Sequence, residues 1–182
     1  MFTAWLSSAK WFRAGVGLVF SILWFGLFPL LIQPSTAQMG FHVTGLPPPE
    51  SQDPIAAKVT ALKQSHQRWL QVILSRQRLI AWEGGNPVYA VIVSTGKPGM
   101  ATPTGVFAIQ TKHRLARMRG ADYDVPDVPY TMYYSGNYGI HGAYWHHNFG
   151  TPVTHGCVNV AVDHAQWFFN WASIGTPIIV QH

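Results

Sequence analysis

One cysteine, Cys157, occurs in the 182-residue chain, and it stands in Thr154-His155-Gly156-Cys157-Val158-Asn159. A second histidine–glycine pair, His141-Gly142, precedes it. A thiol attacks as its thiolate, and a nearby imidazole raises the population of that form. Gly156 lets the backbone turn tightly beside the thiol, where the amides of Gly156 and Cys157 are candidates for binding a developing oxyanion. His141 ends the apolar run Tyr138-Gly139-Ile140, as a residue at the mouth of a strand would. Strand ends and their adjoining loops are rigid platforms for reactive groups. The chemistry this points to is covalent catalysis through Cys157. Metal binding competes, because His141, His146, His147, His155 and Cys157 all offer zinc donors. Their spacing matches no standard zinc pattern, and the adjacent His146 and His147 point apart in an extended segment, so no metal and no cofactor are expected.

The motif resembles the signature of the L,D-transpeptidase (YkuD-type) catalytic domain. So does the upstream stretch Ser94-Thr95-Gly96-Lys97 … Thr102-Pro103-Thr104-Gly105-Val106-Phe107, as does Asp163-His164-Ala165-Gln166-Trp167-Phe168 after the cysteine. The likeness covers residues 67–182. It implies Cys157 as nucleophile, His141 as general base, and the backbone carbonyl of Gly142 as the group that orients His141. Some family members carry a serine after this histidine; here only the Gly142 carbonyl is available. His155 is implied to be structural or substrate-contacting, and Thr154 and Asn159 to hold the turn or bind substrate. The implied reaction is attack on the third, L-centred diaminoacyl unit of a peptidoglycan tetrapeptide stem, with loss of the terminal D-Ala. The thioester then passes to an amine, giving a 3→3 crosslink, or to water, giving carboxypeptidase activity. A non-catalytic wall-binding module is the alternative from another class, and the intact Cys157 and His141 argue against it.

The elements that must position these residues read as β-structure. Trp69 to Leu74, Leu79 to Trp82, Val88 to Ser94, Gly105 to Gln110, Val128 to Ser135, Tyr138 to His141 and Pro177 to Val180 are short apolar or β-branched runs. Gly, Asn and Pro turns separate them, which predicts an all-β sandwich or barrel-like fold. One short helix is expected near the C-terminus, capped by Asp163, buried through Ala165, Phe168, Phe169 and Ala172, and ended by Gly175. Residues 111–127 are polar and lack a clean period, so they read as a long loop, and the family likeness implies a flap over the site. Tyr123 and Tyr130 are candidate pocket aromatics. Lys112, Arg114, Arg117 and Arg119 form a basic cluster, either solvated or touching substrate carboxylates or wall phosphate.

Residues 1–37 read as a signal peptide or an N-terminal membrane anchor. Lys10 and Arg13 precede an apolar run, residues 14–32, and Ser35 and Ala37 sit where a signal peptidase reads small side chains. The run is close to bilayer-spanning length, which keeps the anchor reading open. Residues 38–66 read as a Pro-rich linker containing Leu46-Pro47-Pro48-Pro49-Glu50, with a short helix from Pro54 to Gln64 packing on the domain. Export to the periplasm or cell wall fits a lone reactive thiol. Removing residues 1–37 lowers the formal charge from +5 to about +3, a mild excess suited to an anionic polymer. No basic helix or nucleic-acid motif is present, so nucleic acid is not expected as a partner. Stem peptides of peptidoglycan are the implied partner.

Overall fold

The computed structural model describes residues 53–182. The signal or anchor reading of residues 1–37, and the membrane-span reading of residues 14–32 within it, lie outside the described residues. Among those described, no helix is long and apolar enough to cross a membrane.

Among the described residues, nine strands form two sheets. β1 (Arg68–Ile73), β2 (Arg78–Glu83), β3 (Asn86–Ile92), β4 (Gly105–Ala108) and β9 (Pro177–Gln181) make one, in the order β3-β2-β1-β9-β4. β5 (Thr111–Arg119), β6 (Asp124–Ser135), β7 (Tyr138–Gly142) and β8 (Val158–Val160) make the other, in chain order. Most neighbours are antiparallel, but β1 runs parallel to β9 and β7 parallel to β8. The core lies between the sheets, where Leu70, Val72, Val93, Met132, Ile140, Val158 and Val180 are fully enclosed. The sandwich expected from the turn-punctuated runs is the observed architecture, and the described residues contain both expected helices.

The first helix, α1 (Pro54–Lys63), lies inside the segment read as a linker. Asp53 caps it by accepting the Ile55 amide at 2.9 Å, and Pro54 opens the first turn, where no backbone donor is needed. Leu62 packs with Trp69 and Ile179 on the outer face of the first sheet. That cover explains why β1 is apolar on consecutive residues instead of alternating: both of its faces are buried. Trp69 stacks on Trp82 at 5.2 Å and donates its indole N–H to the Gly84 carbonyl.

The second helix, α2 (Val162–Trp171), seals the end of the sandwich with Ala165 and Phe168. Its N-cap is Ala161, which makes no side-chain cap bond, so the expectation that Asp163 caps the helix is corrected. Asp163 sits in the first turn, where a negative charge still favours the helix dipole. The C-cap is Ala172, and Gly175 lies beyond it in the turn leading to β9. Phe169, expected to be buried, is only partly so. The Lys112 ammonium closes this end, donating to the Phe169 and Ala172 carbonyls.

The largest correction concerns residues 111–127. They are the arms of a long β5–β6 hairpin, not a loop. The register shifts between Ala116 and Met118, Asp127 has φ 49°, and Pro126 and Pro129 lie within β6. A bulge and two prolines break the alternation that identifies a strand. Tyr130, a candidate pocket aromatic, instead packs its ring on Phe169.

Leu62→Ala removes the apolar anchor of α1 over Trp69 and Ile179. The expected cost is about 2–4 kcal/mol of unfolding free energy, read as a lower urea midpoint at unchanged slope.

Candidate active site

The site grows from the parallel pair of β7 and β8, which sets Ile140 opposite Val158 and His141 opposite Asn159. This register brings the two halves of the motif side by side. Cys157 stands one residue before β8. Its thiol donates to the Asn137 carbonyl at 3.6 Å, and the Gly139 amide points at its sulfur.

His141 is 2 % exposed. Its Nδ1 lies 3.0 Å from the Gly142 carbonyl. A carbonyl only accepts, so Nδ1 carries the proton and Nε2 keeps its lone pair. Burial disfavours the charged ring and pulls its pKa down to about 4, although the Gly142 carbonyl acts in the opposite sense. Burial also pushes the Cys157 thiol up, opposed by the Gly139 amide. At neutral pH the pair therefore rests as thiol and neutral imidazole. Gly142 cannot carry a side chain, because a Cβ there would come within 2.8 Å of the Pro129 ring.

The turn before Cys157 is held by Thr154. Its hydroxyl donates to the Cys157 carbonyl at 2.7 Å and accepts the Gly156 amide at 3.0 Å. The Gly156 amide is thus taken up within the turn. Gly156 itself is required by φ 112° and by the Tyr138 ring, 2.5 Å from where its Cβ would be. The backbone of residues 94–97 runs alongside and fixes the turn. Ser94 and Asn159 exchange backbone bonds, Lys97 donates to the Thr154 carbonyl, and the Val153 and Thr154 amides share the Thr95 carbonyl. Thr95 is in turn gripped by the buried Gln77, whose amide bonds the Thr95 nitrogen at 2.9 Å and its hydroxyl at 2.7 Å. Gln77 drew no attention in the sequence. A lone glutamine between two arginines has no local signature of burial.

Two cavities meet at Cys157. The first, about 270 Å³, is lined by His141, Trp145, His146, Thr154, His155 and Asn159 together with Cys157. The second, about 360 Å³, is lined by Arg117, Arg119, Tyr133 and Asn137 together with Cys157. Met118 and Tyr123, from the β5–β6 hairpin, line both. Of the residues singled out from sequence, Cys157, His141, Thr154, His155 and Asn159 share the first cavity, while Gly142 lies behind His141 and Gly156 inside the turn. His155 ties the hairpin down. Its Nε2 lies 3.0 Å from Asp122, and the Tyr123 ring rests on its own at 4.8 Å. That bond to His155 holds the Asp122 carboxyl below its ordinary range. The Asn159 side chain meets His146 Nε2 at 2.9 Å.

Two outcomes follow from this geometry. Thr154→Val keeps the shape but leaves the Gly156 amide and the Cys157 carbonyl without their partner. It should cost about 1–3 kcal/mol of stability. The second concerns pH. The folded state holds His141 neutral down to about pH 4, whereas the unfolded chain protonates it near its ordinary 6.5. The unfolded state therefore binds the extra proton, and stability falls as pH drops from 6.5 to 4. Its contribution is on the order of 3 kcal/mol, and a denaturation series in His141→Gln should lack it.

Comparison with known proteins agrees with this geometry. Residues 67–180 match the model of the YkuD family, described as the L,D-transpeptidase catalytic domain. L,D-transpeptidase 1 of Mycobacterium tuberculosis is 32% identical over 109 residues, which cover 53% of this chain and 43% of that protein. The chain thus spans less than half the length of this curated relative. The catalytic domain of the Enterococcus faecium L,D-transpeptidase superposes with a TM-score of 0.59 at 26% identity, covering 64% of this chain and 98% of that one. The L,D-transpeptidase LdtMt1 in complex with imipenem superposes with a TM-score of 0.59 at 27% identity, covering 63% and 58% of the two chains. A family match across residues 67–180, on a β-sandwich that brings the cysteine and histidine of the motif to one cavity, means that the chain belongs to the YkuD family of L,D-transpeptidase catalytic domains.

Proposed function

We propose that this chain is a cysteine L,D-transpeptidase acting on peptidoglycan stem peptides outside the cytoplasm. The observation that carries the reading is one cavity lined by both Cys157 and a neutral, tautomerically fixed His141. His141 Nε2 takes the thiol proton as Cys157 sulfur attacks the carbonyl of the third stem residue. The imidazolium returns that proton to the departing D-Ala nitrogen, leaving a thioester. An incoming stem amine gives up a proton to His141 and displaces the sulfur, forming a 3→3 crosslink. Water in place of the amine yields a trimmed tripeptide stem. With the Gly156 amide occupied by Thr154, the Cys157 amide is the backbone donor proposed for the oxyanion.

Because thiol and imidazole rest uncharged, ionisation accompanies substrate attack rather than preceding it. Burial disfavours either charge alone, while adjacent opposite charges support each other once formed. Export by residues 1–37, by cleavage or as an anchor, belongs to the same proposal. It would put the thiol where its substrate is.

Incubation with a disaccharide-tetrapeptide, followed by mass analysis, should yield a dimer that has lost one D-Ala, or a tripeptide. Imipenem should add one covalent adduct to the intact protein. Cys157→Ser should abolish both, and His141→Ala should slow acylation by about 10²–10⁴-fold. An unmodified protein with no product would leave only the wall-binding alternative.

A further inference from the structure

The second cavity has a charge character that the reaction itself does not require. Arg117 and Arg119 line it, and no carboxylate does. Asp124 lies beside the two arginines but is already engaged. Arg117 grips it with two bonds, at 2.7 and 2.6 Å. Arg119 reaches the same carboxylate through Nε alone, at 3.4 Å. Asp127 acts on Arg117 from further off. One carboxylate held bidentately by the first guanidinium leaves the second largely uncompensated at the cavity wall.

The chemistry proposed above tells which part of a substrate this wall faces. The departing amine receives its proton from His141, and the incoming amine surrenders one to it. Both must therefore pass through the first cavity, because His141 lines that one and not the second. The acyl group that stays on the sulfur between the two steps must leave that space free. The room for it on the other side of Cys157 is the arginine-lined cavity.

We infer that the second cavity receives the side chain of the residue whose carbonyl becomes the thioester, and that Arg119 pairs with a free carboxylate at its far end. The donor is then a stem whose third residue is a diamino dicarboxylic acid, not a lysine and not a carboxamide. Arg119 selects the donor without touching the bonds that break. Tyr133 and Asn137, also in this wall, are the polar neighbours available to the side chain's amino group. The inference rests on the transpeptidase reading of the site.

Three disaccharide-tetrapeptides test it, differing only in the third residue: the free diacid, its distal carboxamide, and lysine. Release of D-Ala is measured for each. The wild-type protein should favour the diacid over the carboxamide by about three- to tenfold in kcat/KM, through KM. Arg119→Gln should bring that ratio close to one, Arg119→Lys should restore part of it, and Arg114→Gln, on the same strand but in neither cavity, should retain it. Equal turnover of diacid and carboxamide by the wild-type protein would overturn the inference while leaving the transpeptidase reading intact. So would a preference that survives Arg119→Gln. Release from none of the three would overturn both.

Discussion

A single hydrogen bond, from the His141 ring to the carbonyl of the next residue, is the constraint on which the site depends. Catalytic imidazoles are often oriented by a carboxylate, which also stabilises the charged ring. No acidic residue stands anywhere between Asp127 and Asp163. A backbone carbonyl fixes the tautomer and the ring direction but contributes only a dipole. The ring can then be buried deeply without carrying a charge into the core, and burial makes its neutral form the resting one.

That choice explains features around it. Since the orienting group is backbone, its placement depends on how β7 is packed, and the tight approach of Pro129 to Gly142 fixes it. The thiol must be delivered with comparable precision. It arrives through the parallel pairing of β8, the Thr154 turn and the backbone of residues 94–97, which Gln77 bolts from behind. These supports are nearly all hydrogen bonds to backbone atoms, which limits how far the turn can shift. The hairpin lies above them. Its tip is fastened by His155, through Asp122 and Tyr123, and it supplies wall to both cavities.

Much of this could be read from residue order, for identifiable reasons. Cys157, His141 and the Gly142 carbonyl were legible because their chemistry is local: a thiol, an imidazole and a neighbouring peptide group. The first-sheet strands and β7 were legible because turn residues punctuate apolar runs. Residues 111–127 were not, because the bulge and prolines destroy the alternation and much of the surface is exposed. Their basic cluster also reads as one patch but divides in space. Lys112 closes α2, Arg114 faces solvent, and Arg117 and Arg119 meet the second cavity. The partner of the Gly156 amide was not legible, because a bond to a threonine hydroxyl two residues earlier is one that spacing permits but does not demand. Gln77 was invisible because its partner, Thr95, is distant in sequence.

The central claim is a proton position, and nitrogen NMR of the His141 ring measures it directly. Selectively labelled protein titrated from pH 8 to pH 5 should keep its proton on Nδ1, with Nε2 bare throughout. An imidazolium at neutral pH, or a proton found on Nε2, would contradict the account, because the ring would then have no lone pair to offer the Cys157 thiol.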